Sequence, residues 1–372
     1  MKKAIVAGHI CLDITPNFKS NSVQSIESIL KPGKLIEMGD VTVSTGGAVA
    51  NTGLAMKKLG ADVSLMGKVG NDAFGDIILN ILDKYNANDG MIRIDGESSS
   101  YSIVLAIPGI DRMFLHCPGA NNTYTAKDIN EKELESACLF HFGYPPIMKS
   151  LYVNDGEELI NILKKVKDAG CAISLDLAAV DPNSDAGKAD WKSILKKALP
   201  YVDFFVPSIE ELCYMLDRER YNEWQKRASG KDITEILDLD KDIKPLADIC
   251  MNLGVKILLL KCGKSGLYYK SASKNILSTI TKKLDLDIDN WSNKEGFEKS
   301  FKPDKVLSAT GAGDTSIAAF LTALLNGETI EKSVEFASAT GACCVEAYDA
   351  LSGIKDYDSI KKRINDGWRK ND

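Results

Sequence analysis

Apolar and polar positions along the chain repeat one arrangement: an amphipathic helical stretch, a glycine after Leu or Ala, then a β-branched run. Met56 to Leu59 leads through Gly60 into Val63 to Met66, Ile160 to Ala169 through Gly170 into Ala172 to Leu177, and Ile249 to Leu253 through Gly254 into Val255 to Leu260. A glycine just past a helix supplies the left-handed residue that ends it and turns the chain into a strand. Further strands are expected at Ala4 to Ala7, Leu139 to Phe142 and Val202 to Val206. This alternation predicts an α/β fold with a mainly parallel sheet covered by helices on both faces.

Two stretches break the rhythm. Ile92 to Cys117 is polar and β-prone, with Ser98-Ser99-Ser100-Tyr101 and a turn at Pro108-Gly109-Ile110-Asp111, and Lys34 to Val43 is similar. Both read as antiparallel strands of a small sheet, a lid contributed by about 12–44 and 92–118, on which Tyr101, Ile103, Arg112 and Phe114 are expected to choose a ligand. Ser271 to Pro303 is polar, alternates in charge and carries Trp291. Too long for an ordinary loop, it reads as a surface excursion over about 271–303 with no assigned function. The remainder of 1–372 is expected to form a single domain around the sheet.

Composition narrows the partners. The chain has 372 residues, 44% hydrophobic and 26% charged, with 46 basic against 52 acidic side chains and a net charge of −6. That balance gives no electrostatic footprint for nucleic acid or an anionic membrane, so an anionic ligand must be held by local features. Nine scattered cysteines, including the adjacent Cys343-Cys344, read as buried thiols in a reducing cytosol. The apolar run at the N-terminus is too short for a signal peptide, and Ile317 to Leu325 is far below membrane-spanning length; a cytoplasmic protein is expected. His9, His116 and His141 lie in or beside expected strands and read as packed or lid-facing side chains.

The strongest local signal for chemistry is Thr310-Gly311-Ala312-Gly313-Asp314-Thr315, followed by an apolar helix to Leu325 and a glycine stop at Gly327. Small residues at a helix N-terminus let unpaired N–H groups approach an anion, and the helix dipole favours negative charge there. Asp314 in the same turn is placed to accept a proton. An anion site beside a carboxylate base suits phosphoryl transfer to a hydroxyl, which is mostly positioning and charge stabilisation. Read by itself, the segment fits a tightly packed helix start equally well. Neither G-x-G-x-x-G nor G-x-x-x-x-G-K-[ST] occurs at a strand-to-helix joint, which weighs against a dinucleotide-binding dehydrogenase and a P-loop ATPase.

These residues resemble the ribokinase-like (PfkB) family of carbohydrate and nucleoside kinases. Thr310 to Asp314 is similar to that family's D-T-x-G-A-G-D segment. Gly46-Gly47-Ala48-Val49-Ala50-Asn51, with Gly60, Gly67, Gly70-Asn71-Asp72, Phe74 and Gly75-Asp76, is similar to its G-G-x-x-A-N block. Gly8 to Asp13, Pro118 to Asn121 and Lys261 to Gly266 align in order as well. The resemblance implies a three-layer α/β/α sandwich with a small β-sheet lid, and an ATP-dependent kinase phosphorylating a hydroxyl of a small sugar or sugar derivative. It implies Asp314 as general base, Gly311, Ala312 and Gly313 as the anion hole, and Asp13, Gly46, Gly47 and Asn51 on the acceptor's hydroxyls. Lys261, Gly263, Gly266 and Thr310 fall on the nucleotide side, and Ala337 to Ala342 resembles a small-residue helix beside the adenine.

Two departures qualify what carries over. Ser308 and Ala309 stand where the family has Asp and Thr, positions that help form a monovalent-cation site in some members; ATP and Mg2+ are implied, while a monovalent cation is in doubt. The family's N-x-x-E element appears as Ser208-Ile209-Glu210-Glu211, which keeps Glu211 for magnesium through water and gives the Asn position to Ser. A nucleoside kinase of the same fold and a catalytically silent sugar or nucleotide sensor are the alternatives. A homodimer through the lid is a further expectation.

Overall fold

The computed structural model describes residues 2–19, 30–107 and 112–371, so the turn expected at Pro108-Gly109-Ile110-Asp111 lies outside the described residues. Strands are β1 Lys3–Gly8, β2 Cys11–Pro16, β3 Val41–Gly46, β4 Asp62–Gly70, β5 Met91–Ile94, β6 Tyr101–Leu105, β7 Met113–Cys117, β8 Leu139–Gly143, β9 Ala172–Leu175, β10 Phe204–Phe205, β11 Ile257–Lys261, β12 Gly266–Ser271 and β13 Glu295–Lys299. The helices of eight residues or more are α1 Gly47–Lys58, α2 Ala73–Asp83, α3 Glu157–Asp168, α4 Trp191–Ala198, α5 Ile209–Leu216, α6 Arg218–Ala228, α7 Lys244–Asn252, α8 Ala312–Leu325, α9 Ile330–Cys344 and α10 Tyr357–Asn365.

The large sheet runs β13-β12-β11-β10-β9-β8-β1-β4-β5. It is parallel from β11 to β5, with β12 and β13 added antiparallel at one edge. Alternation along β1 sends Ala4 and Val6 into a core shared with α1, α8 and α9, and Ile5 and Ala7 into a second core under α3, α4, α5 and α7. Two-sided burial of this kind is what a parallel sheet requires. The predicted joints hold: Gly60, Gly170 and Gly254 all take positive φ between helix and strand. Strand order reverses between β1 and β8, and ligands of open parallel sheets bind at the strand C-termini beside such a reversal.

The small sheet runs β3-β2-β6-β7 and differs from the expectation in three ways. Its central pair, β2 and β6, is parallel, not antiparallel. Met91–Ile94 pairs with β4 in the large sheet, so the 92–118 stretch contributes lid strands only from Tyr101 onward. Chain 34–40 is irregular, and β3 begins at Val41. Register then sorts the faces. Ser44, Asp13, Ser102 and His116 line up across the four strands as one polar row, and Val43, Ile14, Ile103 and Leu115 as an apolar row on the opposite face. The lid joins β1 through His9 and Ile10, and Asn121 fixes that joint by donating to Ile10 O at 2.8 Å and accepting from Ile10 N at 3.2 Å.

The segment at 271–303 keeps many residues on the surface but is tied to the large sheet and the core. Glu295–Lys299 extends the large sheet along β12. Trp291 is 1% exposed, lies edge-on to Phe204 and Phe320, and donates its indole N–H to Glu328 O at 3.1 Å. A buried indole with a partner for its N–H anchors the polar segment to the core. All nine cysteines are free thiols, eight of them buried. No helix among the described residues is long and apolar enough to cross a membrane.

Candidate active site

A cavity of about 760 Å3 opens where β1, β8, β9 and the start of α8 meet the polar face of the lid. Its walls include Asp13, Gly47, Asn51, Glu211, Thr310, Gly311 and Asp314, so residues called from two distant stretches of sequence converge on one space. Asp314 sits in the first turn of α8, which is buried on almost every side from Asp314 to Leu325. Gly311 precedes the helix at φ 78°, and a Cβ there would lie 2.3 Å from the Ala350 side chain, so only glycine fits this entry.

Asp314 is 4% exposed. Asn51 in α1 donates Nδ2 to its Oδ2 at 3.0 Å, and Tyr144 brings its hydroxyl within 2.8 Å of both carboxylate oxygens. Burial raises the Asp314 carboxyl above its usual value, opposed by the Lys261 ammonium and by these two hydrogen bonds. Asn51 was expected on an acceptor hydroxyl; here its amide donates to the Asp314 carboxylate. Tyr144 escaped the sequence reading. It is the first residue past β8 and takes φ 68°, an unusual conformation for a bulky side chain. Burial and Asp314 hold its phenol well above its usual value, so it remains a donor.

Lys261 ends β11 and reaches Asp176, just past β9, at 2.8 Å. A Cβ on Gly313 would lie 3.7 Å from Lys261 Nζ, which puts the ammonium beside the start of α8. Burial alone would lower Lys261, but the Asp176 and Glu211 carboxylates outweigh it and hold the ammonium charged. Burial pushes Asp176 up. Like Tyr144, Asp176 was not singled out in the sequence; the signal available was its place at the C-terminal end of a parallel strand.

At the other end, Asp13 on the lid faces Gly46, where a Cβ would lie 2.2 Å from its Oδ2. Burial raises the Asp13 carboxyl to about 6, and the Asp314 charge adds to the rise. His9 and His116 meet Nε2 to Nε2 at 3.3 Å, and His116 Nδ1 lies 3.0 Å from Ser102 Oγ. Only one proton fits between the two rings. Burial and His116 push His9 well below its usual value, and burial lowers His116. His9 Nδ1 has no partner among the described residues and packs against Gly47, whose φ is 83°.

The remaining called residues divide. Thr310 lines the cavity and accepts a hydrogen bond from Arg112 of the lid. Ala312 N donates to Ala309 O at 3.3 Å. Ser308 Oγ accepts from Thr310 N at 3.1 Å, a turn contact in place of the family's carboxylate. Ser208 and Glu211 form a capping box at α5: Ser208 Oγ accepts Glu211 N and Glu211 Oε2 accepts Ser208 N. Gly263 lies in the β11–β12 turn and Gly266 opens β12, both outside the cavity wall, and a Cβ on Gly266 would meet Glu298 O of β13 at 2.0 Å. Tyr101 and Ile103 share the lid face opposite the cavity, where Tyr101 packs on Phe74 at 5.4 Å; Ser102, Phe114 and His116 occupy the facing positions.

Comparison with known proteins places this arrangement. The family model described as pfkB family carbohydrate kinase matches residues 1–356. An uncharacterized sugar kinase of Archaeoglobus fulgidus is 25% identical over 304 residues, covering 81% of this chain and 98% of its own. Fructokinase-2 of Oryza sativa is 25% identical over 337 residues, covering 86% and 84%. The structure of Arabidopsis thaliana ribokinase complexed with ribose and ATP matches with a TM-score of 0.70 at 21% identity, over 97% of this chain and 98% of that one. The large, mainly parallel sheet and the smaller lid sheet are thus those of a ribokinase-like fold, and the chain belongs to the pfkB family of carbohydrate kinases.

Proposed function

We propose that this protein transfers the γ-phosphoryl group of ATP to a hydroxyl of a small sugar or sugar derivative, with Asp314 as general base. The observation that carries this is Asp314 itself: a buried carboxylate in the first turn of α8, facing the cavity and held by Asn51 and Tyr144. The acceptor hydroxyl would donate to Asp314 in competition with Tyr144, and Asp314 would take its proton as the oxygen attacks phosphorus. Backbone N–H groups of Gly311 and Gly313 and the Lys261 ammonium would stabilise the charge on the transferring group, with the Ala312 N–H turned to Ala309 O. Asp13 and the backbone at Gly46 and Gly47 would hold the acceptor.

Magnesium fits this site as a companion of the nucleotide. No cluster of three metal-ligating side chains occurs among the described residues, yet Glu211 lines the cavity with one carboxylate oxygen on Ser208 N. Glu211 would contact the ion through water, and the ion would supply neutralisation of phosphate charge. Lid contacts such as Arg112 to Thr310 would exclude water from the closed site.

Asp314→Asn tests the reading: turnover with magnesium and ATP is expected to fall by about 10²- to 10⁴-fold, the range for a general base, while acceptor binding measured by calorimetry persists. A rate within a fewfold of the parent would refute Asp314 as base. The apolar row across the lid, with Val43 41% and Leu115 55% exposed, supports association of two copies through that face. Sedimentation of Leu115→Glu against the parent tests it, a monomer being expected for the variant.

A further inference from the structure

The cavity holds a marked asymmetry of charge. Asp13, Asp181, Glu211 and Asp314 line it, and no lysine or arginine is among its described lining residues. The nearby cations belong to the phosphoryl end. Lys261 is bound to Asp176 beside Gly313, and Arg112 donates to Thr310 one residue before Gly311. At the acceptor end the polar row of the lid offers Ser44, Asp13, Ser102 and His116. The Nε2-to-Nε2 contact of 3.3 Å between the two histidines there keeps both rings from being charged at once, and burial lowers each below its usual value, so near neutral pH they supply no positive charge. A carboxylate or phosphate on the acceptor would be stripped of water against Asp13 with no lysine or arginine among the described lining residues to offset it, which disfavours its binding in a partly desolvated site.

We propose that the acceptor is an uncharged polyol, held at Asp13 and excluded from carrying a phosphate or carboxylate group by the carboxylates and neutral histidines around it. This rests on the kinase reading above. It separates the protein from two of its relatives in the same family, one named ATP-dependent 6-phosphofructokinase and one named 2-dehydro-3-deoxygluconokinase, whose names specify anionic acceptors. Asp13 accepts hydroxyl hydrogens from a neutral ring and repels an anionic one, so its charge both selects and rejects.

The test is a panel of acceptors with magnesium and ATP: fructose, ribose, a cyclitol and a nucleoside on one arm, fructose 6-phosphate and 2-dehydro-3-deoxygluconate on the other. kcat/KM for the best uncharged acceptor is expected to exceed that for either anion by about 100-fold or more. Asp13→Asn should then raise KM for the uncharged acceptor and lower it for the anions, a crossing that a general loss of folding does not produce. Raising the salt from low to high should leave KM for the uncharged acceptor unchanged, since screening acts only between charges. Preference for an anion, or a shift in the same direction on both arms, overturns the proposal and leaves the kinase intact. No turnover of any acceptor on either arm overturns the kinase reading and the proposal with it.

Discussion

Removing the charge at Asp13 should make the protein more stable, not less. Its carboxyl rises from 3.8 to about 6 in the folded state because burial, and to a lesser degree Asp314, disfavour the charged form. A raised carboxyl means the folded chain binds more protons than the unfolded one between about pH 4 and pH 6. Stability contributed by the protonated form is complete below pH 4, is lost as pH rises through 6, and is absent above it. The difference corresponds to about 3 kcal/mol at most. Asp13→Asn keeps the shape and an oxygen for the Cys11 thiol, which contacts Asp13 Oδ1 at 3.4 Å, while removing the charge. For 372 residues the unfolding entropy is about 0.8 kcal/mol/K, so the variant should melt up to about 4 °C higher at pH 8 and within about 1 °C of the parent at pH 4. Differential scanning calorimetry across that range measures it directly. A variant that melts lower at pH 8, or by the same amount at both pH values, would show that Asp13 is not a buried charge held against its preference. The same substitution should weaken binding of a neutral acceptor, a trade of stability against function.

Other variants probe separate parts of the site and fold. Tyr144→Phe removes a donor that stabilises the ionised form of Asp314, so the acid limb of the kcat/KM profile should move to higher pH, and an unmoved or lowered limb would contradict the hydrogen bonds assigned to Tyr144. Lys261→Met strands Asp176 in the interior and should cost about 3–5 kcal/mol in urea unfolding; adding Asp176→Asn should recover most of the stability and none of the turnover. Trp291→Ala should destabilise by about 3–5 kcal/mol if the 271–303 segment is core-anchored, whereas a surface excursion would lose under about 0.5 kcal/mol.

Much of this site was legible because its signals are local. The start of α8 is announced by glycines before an apolar helix, and three Gly-terminated helices foretold the parallel sheet. Single residues beyond strand ends were harder. Nothing around Tyr144 announces a left-handed backbone at a tyrosine, and Asp176 gains meaning only when β9 is set beside β10 and β11. Tyr101 and Ile103 were chosen over Ser102 and His116 because facing depends on register, and a shift of one residue exchanges the two faces of a strand. The 271–303 stretch is harder to read because its polarity hides scattered buried anchors, Leu277, Leu284, Trp291 and Phe301.

The joint between β1 and β2 has mechanical meaning. The lid is not an appended flap: it continues the central strand after only His9 and Ile10, and Asn121 grips Ile10 from both sides of its backbone. That grip ties the joint to the large-sheet side, so any rotation of the lid there would turn about it. Rotation about it moves each lid residue by an amount set by its lever arm. Asp13, three residues along, lies close to the joint, so such a rotation would move it little. Strand β7 lies two strands out from β2, an arm of about 10 Å. Arg112, just before the end of β7 farthest from the joint, therefore has the longest arm, and a rotation of the lid would break its contact with Thr310 first.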